Sequence, residues 1–162
     1  MVPAADTQWS NLCIVGYGNP QRRDDGTGCY VAESLGRLLE GRKEISIRAL
    51  HQLDPVIAEE LKAAEALIFV DATAEEVAGG SAWGVVRPQL DALPYVTHHV
   101  KPSYLLALLK HLYRKCPKTW LVSVQGDDFG FGEGLSPECE VRAKRAALEI
   151  ASFVSRKMVD KG

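Results

Sequence analysis

The chain lacks the cysteine patterns of small metal sites and of disulfide-rich domains. Its four cysteines are scattered along 162 residues, and no two of them form a C-x-x-C pair. The sequence therefore indicates neither a structural zinc site nor a disulfide framework. We expect four reduced thiols, most of them buried.

Long apolar runs and blocks of basic residues are also missing. No apolar run approaches the ~18 residues that a membrane-spanning helix needs. The net charge is −2, without a Lys/Arg cluster, so neither nucleic acid nor a membrane is an expected partner. Residues 1–11 have neither the basic start nor the apolar core of an export signal. We expect a cytosolic protein whose residues 1–11 form a flexible segment.

The composition that remains is that of one ordinary globular domain. Of the 162 residues 46% are hydrophobic and 25% are charged, which is enough to bury a full α/β core. Strand-like and helix-like segments alternate along the whole length, which is typical of a mostly parallel sheet covered by helices. We predict a single three-layer α/β domain over residues 1–162, with about five strands in one twisted sheet and helices on both faces.

Hydrophobic periodicity places the individual elements. Pro55, Pro102 and Pro137 each suit the first position of a helix, with Asp54 and Ser136 as caps ahead of the first and last of these. The stretch 82–87 is short and ends at Pro88, which favours an antiparallel or edge strand. The predicted strands are 12–15, 45–50, 66–70, 82–87 and 119–124, and the predicted helices are 28–40, 55–64, 102–112 and 137–158.

The chain is organised around residues 13–28, in which an apolar strand breaks on glycines and leads through a polar loop into a helix. In an open α/β sheet, ligands bind outside the carboxyl ends of the strands. Asp25 lies in this first loop and is followed by Gly-x-Gly, so we predict that it is a functional residue of the crevice. For its neighbour Asp24, a solvated or capping role is the leading interpretation.

Two further segments supply side chains that bind metals. Asp71 follows the apolar run 66–70, where a charge is costly unless it is paired, bound to a metal or hydrogen-bonded to the turn that follows. His98 and His99 precede the third helix. Two carboxylates and one imidazole form a reasonable ligand set for a divalent metal, if the three loops converge. Gly16 and Gly18 alone make a poor dinucleotide fingerprint, so no nucleotide cofactor is expected.

The order of these motifs resembles the hydrogenase maturation protease family over residues 12–158. The matching stretches are 14–19, 23–28, 68–72, 97–98 and 134–137. The resemblance implies an endopeptidase that removes a C-terminal extension from the large-subunit precursor of [NiFe] hydrogenases after nickel insertion. It also implies that Asp25, Asp71 and His98 are both the catalytic and the metal-binding residues, and that the nickel belongs to the substrate.

Two points of this match stay open. His98 keeps the spacing to the leucines of the next helix, but a slip of one residue would exchange it with His99. Many family members carry Asp-Gly-Gly-Thr after the second strand, whereas this chain has His-Gln-Leu-Asp at 51–54. Any role of the missing carboxylate passes to His51, Gln52 or Asp54, or is lost.

A different class of protein would use the same ligands. A module that captures the precursor or a metal without cutting a peptide bond needs the same two carboxylates and imidazole. The sequence does not separate this alternative from the protease.

Overall fold

The computed structural model describes Val2, residues 8–90 and residues 100–158. The predicted ligand His98 and its alternative His99 lie outside the described residues. The strands are β1 Leu12–Tyr17, β2 Ile45–Leu50, β3 Ala66–Thr73, β4 Ser81–Val85 and β5 Lys118–Gln125. The helices are α1 Thr27–Leu38, α2 Ala58–Leu61, α3 Pro102–Tyr113 and α4 Pro137–Lys157.

The five strands form one sheet in the order β2-β1-β3-β5-β4. Strands β2, β1, β3 and β5 run parallel, and β4 pairs antiparallel with β5 at the edge. The antiparallel edge strand agrees with the prediction for 82–87, although β4 ends two residues earlier, at Val85. The predicted fold class, a mostly parallel five-stranded sheet between helices, is confirmed.

The two faces of the sheet bury separate apolar cores. Along β1, Leu12 and Ile14 point to the face covered by α1 and α4, while Cys13 and Val15 point to the face covered by α2 and α3. β3 alternates in the same way, so both strands are apolar on each side. This double burial explains why both strands read as continuous apolar runs in the sequence.

Strand β3 continues beyond the predicted run 66–70. Its pairing with β5 includes Asp71 opposite Ser123 and ends with Thr73 opposite Gln125. Asp71 is therefore part of the strand and does not follow it, because the ladder to β5 holds its backbone extended. The carboxylate still lies near the carboxyl end of the parallel strands, where the prediction needs it.

Trp9 belongs to the segment 1–11 that the sequence predicts to be flexible. The residue is 3% exposed, and its ring lies 5.4 Å from that of Trp120 and 5.9 Å from that of Phe153, centroid to centroid. Its amide donates to the carbonyl of Lys157 at 2.9 Å. The burial of a large aromatic ring thus fixes this part of the segment against the end of α4.

The described part of the chain contains no helix with the length and apolar character that crossing a membrane requires.

Candidate functional site

A cleft of about 500 Å³ lies at the carboxyl ends of the central parallel strands. Its walls come from the loops that follow β1 and β2, from the end of β3 and from the two residues ahead of α3. Both predicted carboxylates, Asp25 and Asp71, line it. The structure thus brings together two residues that are distant in the sequence, at the edge of the sheet where ligands usually bind.

Asp25 is held by the loop on which it lies. Its Oδ2 accepts a hydrogen bond from the amide of Asn19 at 2.8 Å. The loop folds back so tightly that a Cβ on Gly18 would lie 1.9 Å from the carbonyl oxygen of Asp25. Gly18 also has a φ of +141°, which side chains rarely tolerate. The glycine therefore permits the turn that places the carboxylate over the end of β1.

Asp71 is oriented by two neighbours. Its Oδ1 accepts from the amide of Ala72 at 2.8 Å. Burial, the negative charge of Asp71 and a hydrogen bond to Asp71 together raise the pKa of Tyr17 above its ordinary value. Tyr17 therefore stays protonated as a donor toward Asp71. The bond from Ala72 is the hydrogen bond to the following residues that the sequence analysis gave as one role of Asp71. The carboxylate nevertheless also lines the cleft.

Tyr17 is a site residue that the sequence analysis missed. It ends β1, lines the cleft and packs edge-on against Phe69 with 6.5 Å between ring centroids. Its position between Gly16 and Gly18, at the carboxyl end of the first strand, was the available signal. The contact with Phe69 fixes the ring of Tyr17, so the hydroxyl that donates to Asp71 is held in place.

The sequence favours a solvated or helix-capping role for Asp24, and the structure shows neither. Asp24 is fully buried, and it is not the N-cap of the described helices that flank it. Its Oδ2 accepts from the amides of Asp127 at 2.7 Å and Asp128 at 2.9 Å, and from the hydroxyl of Ser136 at 2.7 Å. Its Oδ1 accepts from the amide of Ser136 at 2.7 Å. The predicted side-chain cap at Ser136 is therefore wrong, since this hydroxyl is directed to Asp24 instead.

These bonds keep Asp24 ionised. Burial by itself would raise its pKa, but the hydroxyl and amide of Ser136 and the amides of Asp127 and Asp128 together hold it below the ordinary value. Further backbone bonds join the same two loops, with Arg23 donating to Gly132 at 2.9 Å. Asp24 thus ties the loop that carries Asp25 to the loop between β5 and α4.

The third predicted ligand is not described, and His51 is the histidine that lines the described cleft. Val100 and Lys101, the first described residues after His98 and His99 in the sequence, are also part of the wall. Within residues 8–90 and 100–158, no three His, Cys, Asp or Glu side chains are grouped closely enough to hold a metal ion. The described site therefore supplies two oriented carboxylates that hard or borderline divalent metals favour.

No family model matches the chain, and no curated protein matches it significantly. Solved structures do. A [NiFe] hydrogenase maturation protease from Thermococcus kodakarensis KOD1 is 24% identical with a TM-score of 0.70, covering 91% of this chain and 94% of that one. The hydrogenase 2 maturation peptidase from Thaumarchaeota archaeon SCGC_AB-539-E09 is 19% identical with a TM-score of 0.67, covering 90% and 98%.

A hydrogenase maturating endopeptidase from E. coli shows the same likeness. It is 20% identical with a TM-score of 0.64, and the match covers 90% of this chain and 93% of the E. coli protein. All three matches run over nearly the full length of both partners, so the similarity includes the sheet and the helices on both of its faces. The chain has the fold of the [NiFe] hydrogenase maturation proteases.

Proposed function

We propose that this protein is the endopeptidase that removes the C-terminal extension of a [NiFe] hydrogenase large-subunit precursor after nickel insertion. The observation that carries the proposal is the convergence of Asp25 and Asp71 in one cleft of a chain with this fold. His98 is proposed as the third ligand to the nickel. In this proposal the metal arrives with the precursor as part of the substrate.

The surroundings of the two carboxylates suit this role. Asp25 accepts a hydrogen bond from the amide of Asn19. Asp71 accepts one from the amide of Ala72 and one from the hydroxyl of Tyr17. Both carboxylates are therefore oriented before the substrate arrives. Oriented oxygen ligands lose little conformational entropy on binding. Nickel bound there would act as a Lewis acid on the scissile carbonyl or on a water molecule. Asp24 has no part in the chemistry, because its carboxylate is enclosed and fixes the loop.

The test is mass spectrometry of the precursor after incubation with the protein, in parallel with and without nickel loading. The proposal predicts loss of a C-terminal peptide in the nickel-loaded sample only. An unchanged precursor mass in both samples, with binding still measurable, would instead support the module that captures the precursor without cleaving it.

Single substitutions test the site. Asp25→Asn, Asp71→Asn and His98→Ala should each remain folded and abolish processing of the nickel-loaded precursor. Glu133→Gln is the matched control, because Glu133 is exposed on a loop and does not line the cleft. His99→Ala tests the register of the histidine pair and should leave processing intact. Processing at the wild-type rate by all three site variants would overturn the assignment.

A further inference from the structure

A second groove, of about 570 Å³, opens from the cleft toward the edge strand β4. The two cavities share Tyr17, Asp71 and Lys101 in their walls. The groove runs past α3 to the residues at the end of β4. A chain bound in the cleft can therefore continue into this groove without leaving the protein surface.

The groove combines an apolar wall with positive charge. Val85, Val86 and Leu121 supply the apolar part, and Val85 is 66% exposed. The cations are Arg87 and Lys101. Neither forms an ion pair with a carboxylate within the described residues, whereas Arg142 on α4 pairs with Asp127 at 2.7 Å. Among the described residues, no carboxylate therefore competes with a ligand for these two cations.

We infer that this groove binds the part of the substrate next to the cleaved bond, and that it selects an acidic side chain flanked by apolar residues. The inference rests on the proposed function. Arg87 is the specificity residue, since Lys101 also lines the cleft and would contribute to both cavities. A guanidinium binds a carboxylate with paired, charge-assisted hydrogen bonds.

The position of the groove decides between an acidic side chain and the free carboxylate at the end of the extension. An extended chain covers ~3.3 Å per residue, so a groove that adjoins the cleft holds residues close in sequence to the cut. A side chain next to the cut lies in the groove whatever the length of the extension. The carboxylate at the end of the extension lies there only if the extension is very short. We therefore assign the groove to an acidic side chain.

The charges also give the groove a direction. Of the two cavities, Asp25 lines only the cleft and Arg87 lines only the groove, while Asp71 and Lys101 lie where the cavities meet. A peptide that presents its metal-bearing side to the aspartates and its acidic side to Arg87 fits both ends. The reversed peptide places a carboxylate against Asp25, and like charges in contact disfavour that orientation.

The test uses a fluorescently labelled synthetic peptide that spans the cleavage point of the precursor, with binding followed by anisotropy. Arg87→Glu should weaken binding about tenfold, and more salt should shrink the difference because the charges are exposed. Lys115→Glu is the control: it makes the same charge change at an exposed residue outside the groove, and binding should not change.

A second peptide, with the acidic residues near the cut replaced by their amides, completes a double-mutant cycle. It should bind the wild-type protein about tenfold more weakly. Arg87→Gln, which removes the charge without reversing it, should no longer distinguish the two peptides, and Arg87→Glu should prefer the amide peptide because its carboxylate repels the acidic one. Equal binding of both peptides by wild type and Arg87→Glu would overturn the inference, even if the precursor is cleaved. Failure of the proposed function gives a different result, namely a nickel-loaded precursor that wild type leaves uncut.

Discussion

Replacement of Asp24 by asparagine should destabilise the protein by about 2.5–6 kcal/mol. The amide oxygen can take the position of Oδ2, which accepts three bonds, and the amide nitrogen then replaces Oδ1. That nitrogen faces the amide of Ser136, which donates to Oδ1 at 2.7 Å in the native protein. The variant loses one charge-assisted bond, worth about 1.5–3 kcal/mol, and leaves two buried donors opposed, which costs about 1–3 kcal/mol more.

The assay is urea denaturation followed by tryptophan fluorescence, since Trp9 and Trp120 are both buried. The expected loss is a large share of the 5–15 kcal/mol that typically stabilises a domain. Asp25→Asn is the control: its oxygen can keep the single bond from Asn19, so the change should cost less than about 1 kcal/mol. Equal stability of the two variants would refute the reasoning.

The same carboxylate predicts a pH dependence. The folded-state pKa of Asp24 lies below its ordinary value of 3.8, so its stabilising contribution is fully present above that pH. The contribution is lost as the pH falls through the folded pKa, where the carboxylate gains a proton. The stability gap between wild type and Asp24→Asn should therefore narrow on acidification below about pH 4. A gap that is the same at pH 7 and pH 3 would contradict this.

Two further predictions concern packing and thiols. Gly16→Ala should cost about 3 kcal/mol or more, since the new Cβ would lie 1.9 Å from the carbonyl oxygen of Gly28. Gly36→Ala in α1 meets no atom within 4 Å and should be neutral or slightly stabilising, as thermal unfolding of both variants will show. Of the four thiols, Cys116 alone should react rapidly with a thiol reagent at pH 8. The other three are buried, which raises the pKa of each to about 11: Cys13, Cys29 and Cys139. A second fast thiol in the folded protein would count against this burial.

The sequence predicts the fold well because local patterns encode it. Strands buried on both faces read as apolar runs, and prolines mark the starts of α3 and α4. The same logic brings Asp25 and Asp71 to one edge of the sheet, since each lies near the carboxyl end of a parallel strand. Both inferences follow from local patterns and from the general rule for parallel sheets, and neither requires that a particular contact between distant residues be known.

The parts that sequence reasoning missed depend on such distant contacts. The partners of Asp24 lie 103, 104 and 112 positions further along the chain, and no local pattern announces them. Trp9 likewise packs against rings at 120 and 153. The extension of β3 through Asp71 comes from its pairing with β5, so the apolar run alone places its end too early.

The bond between Asp24 and Ser136 has a consequence for the synthesis of the protein. A ribosome releases the loop that carries Asp25 first, and the residue that completes the support of this loop follows 112 positions later. Until Ser136 leaves the ribosome, the buried carboxylate lacks its serine partner and the loop that carries Asp25 lacks part of its support. A chain that ends before Ser136 therefore lacks two of the four hydrogen bonds that hold Asp24, and the loop of Asp25 gains its full support only when this serine is in place.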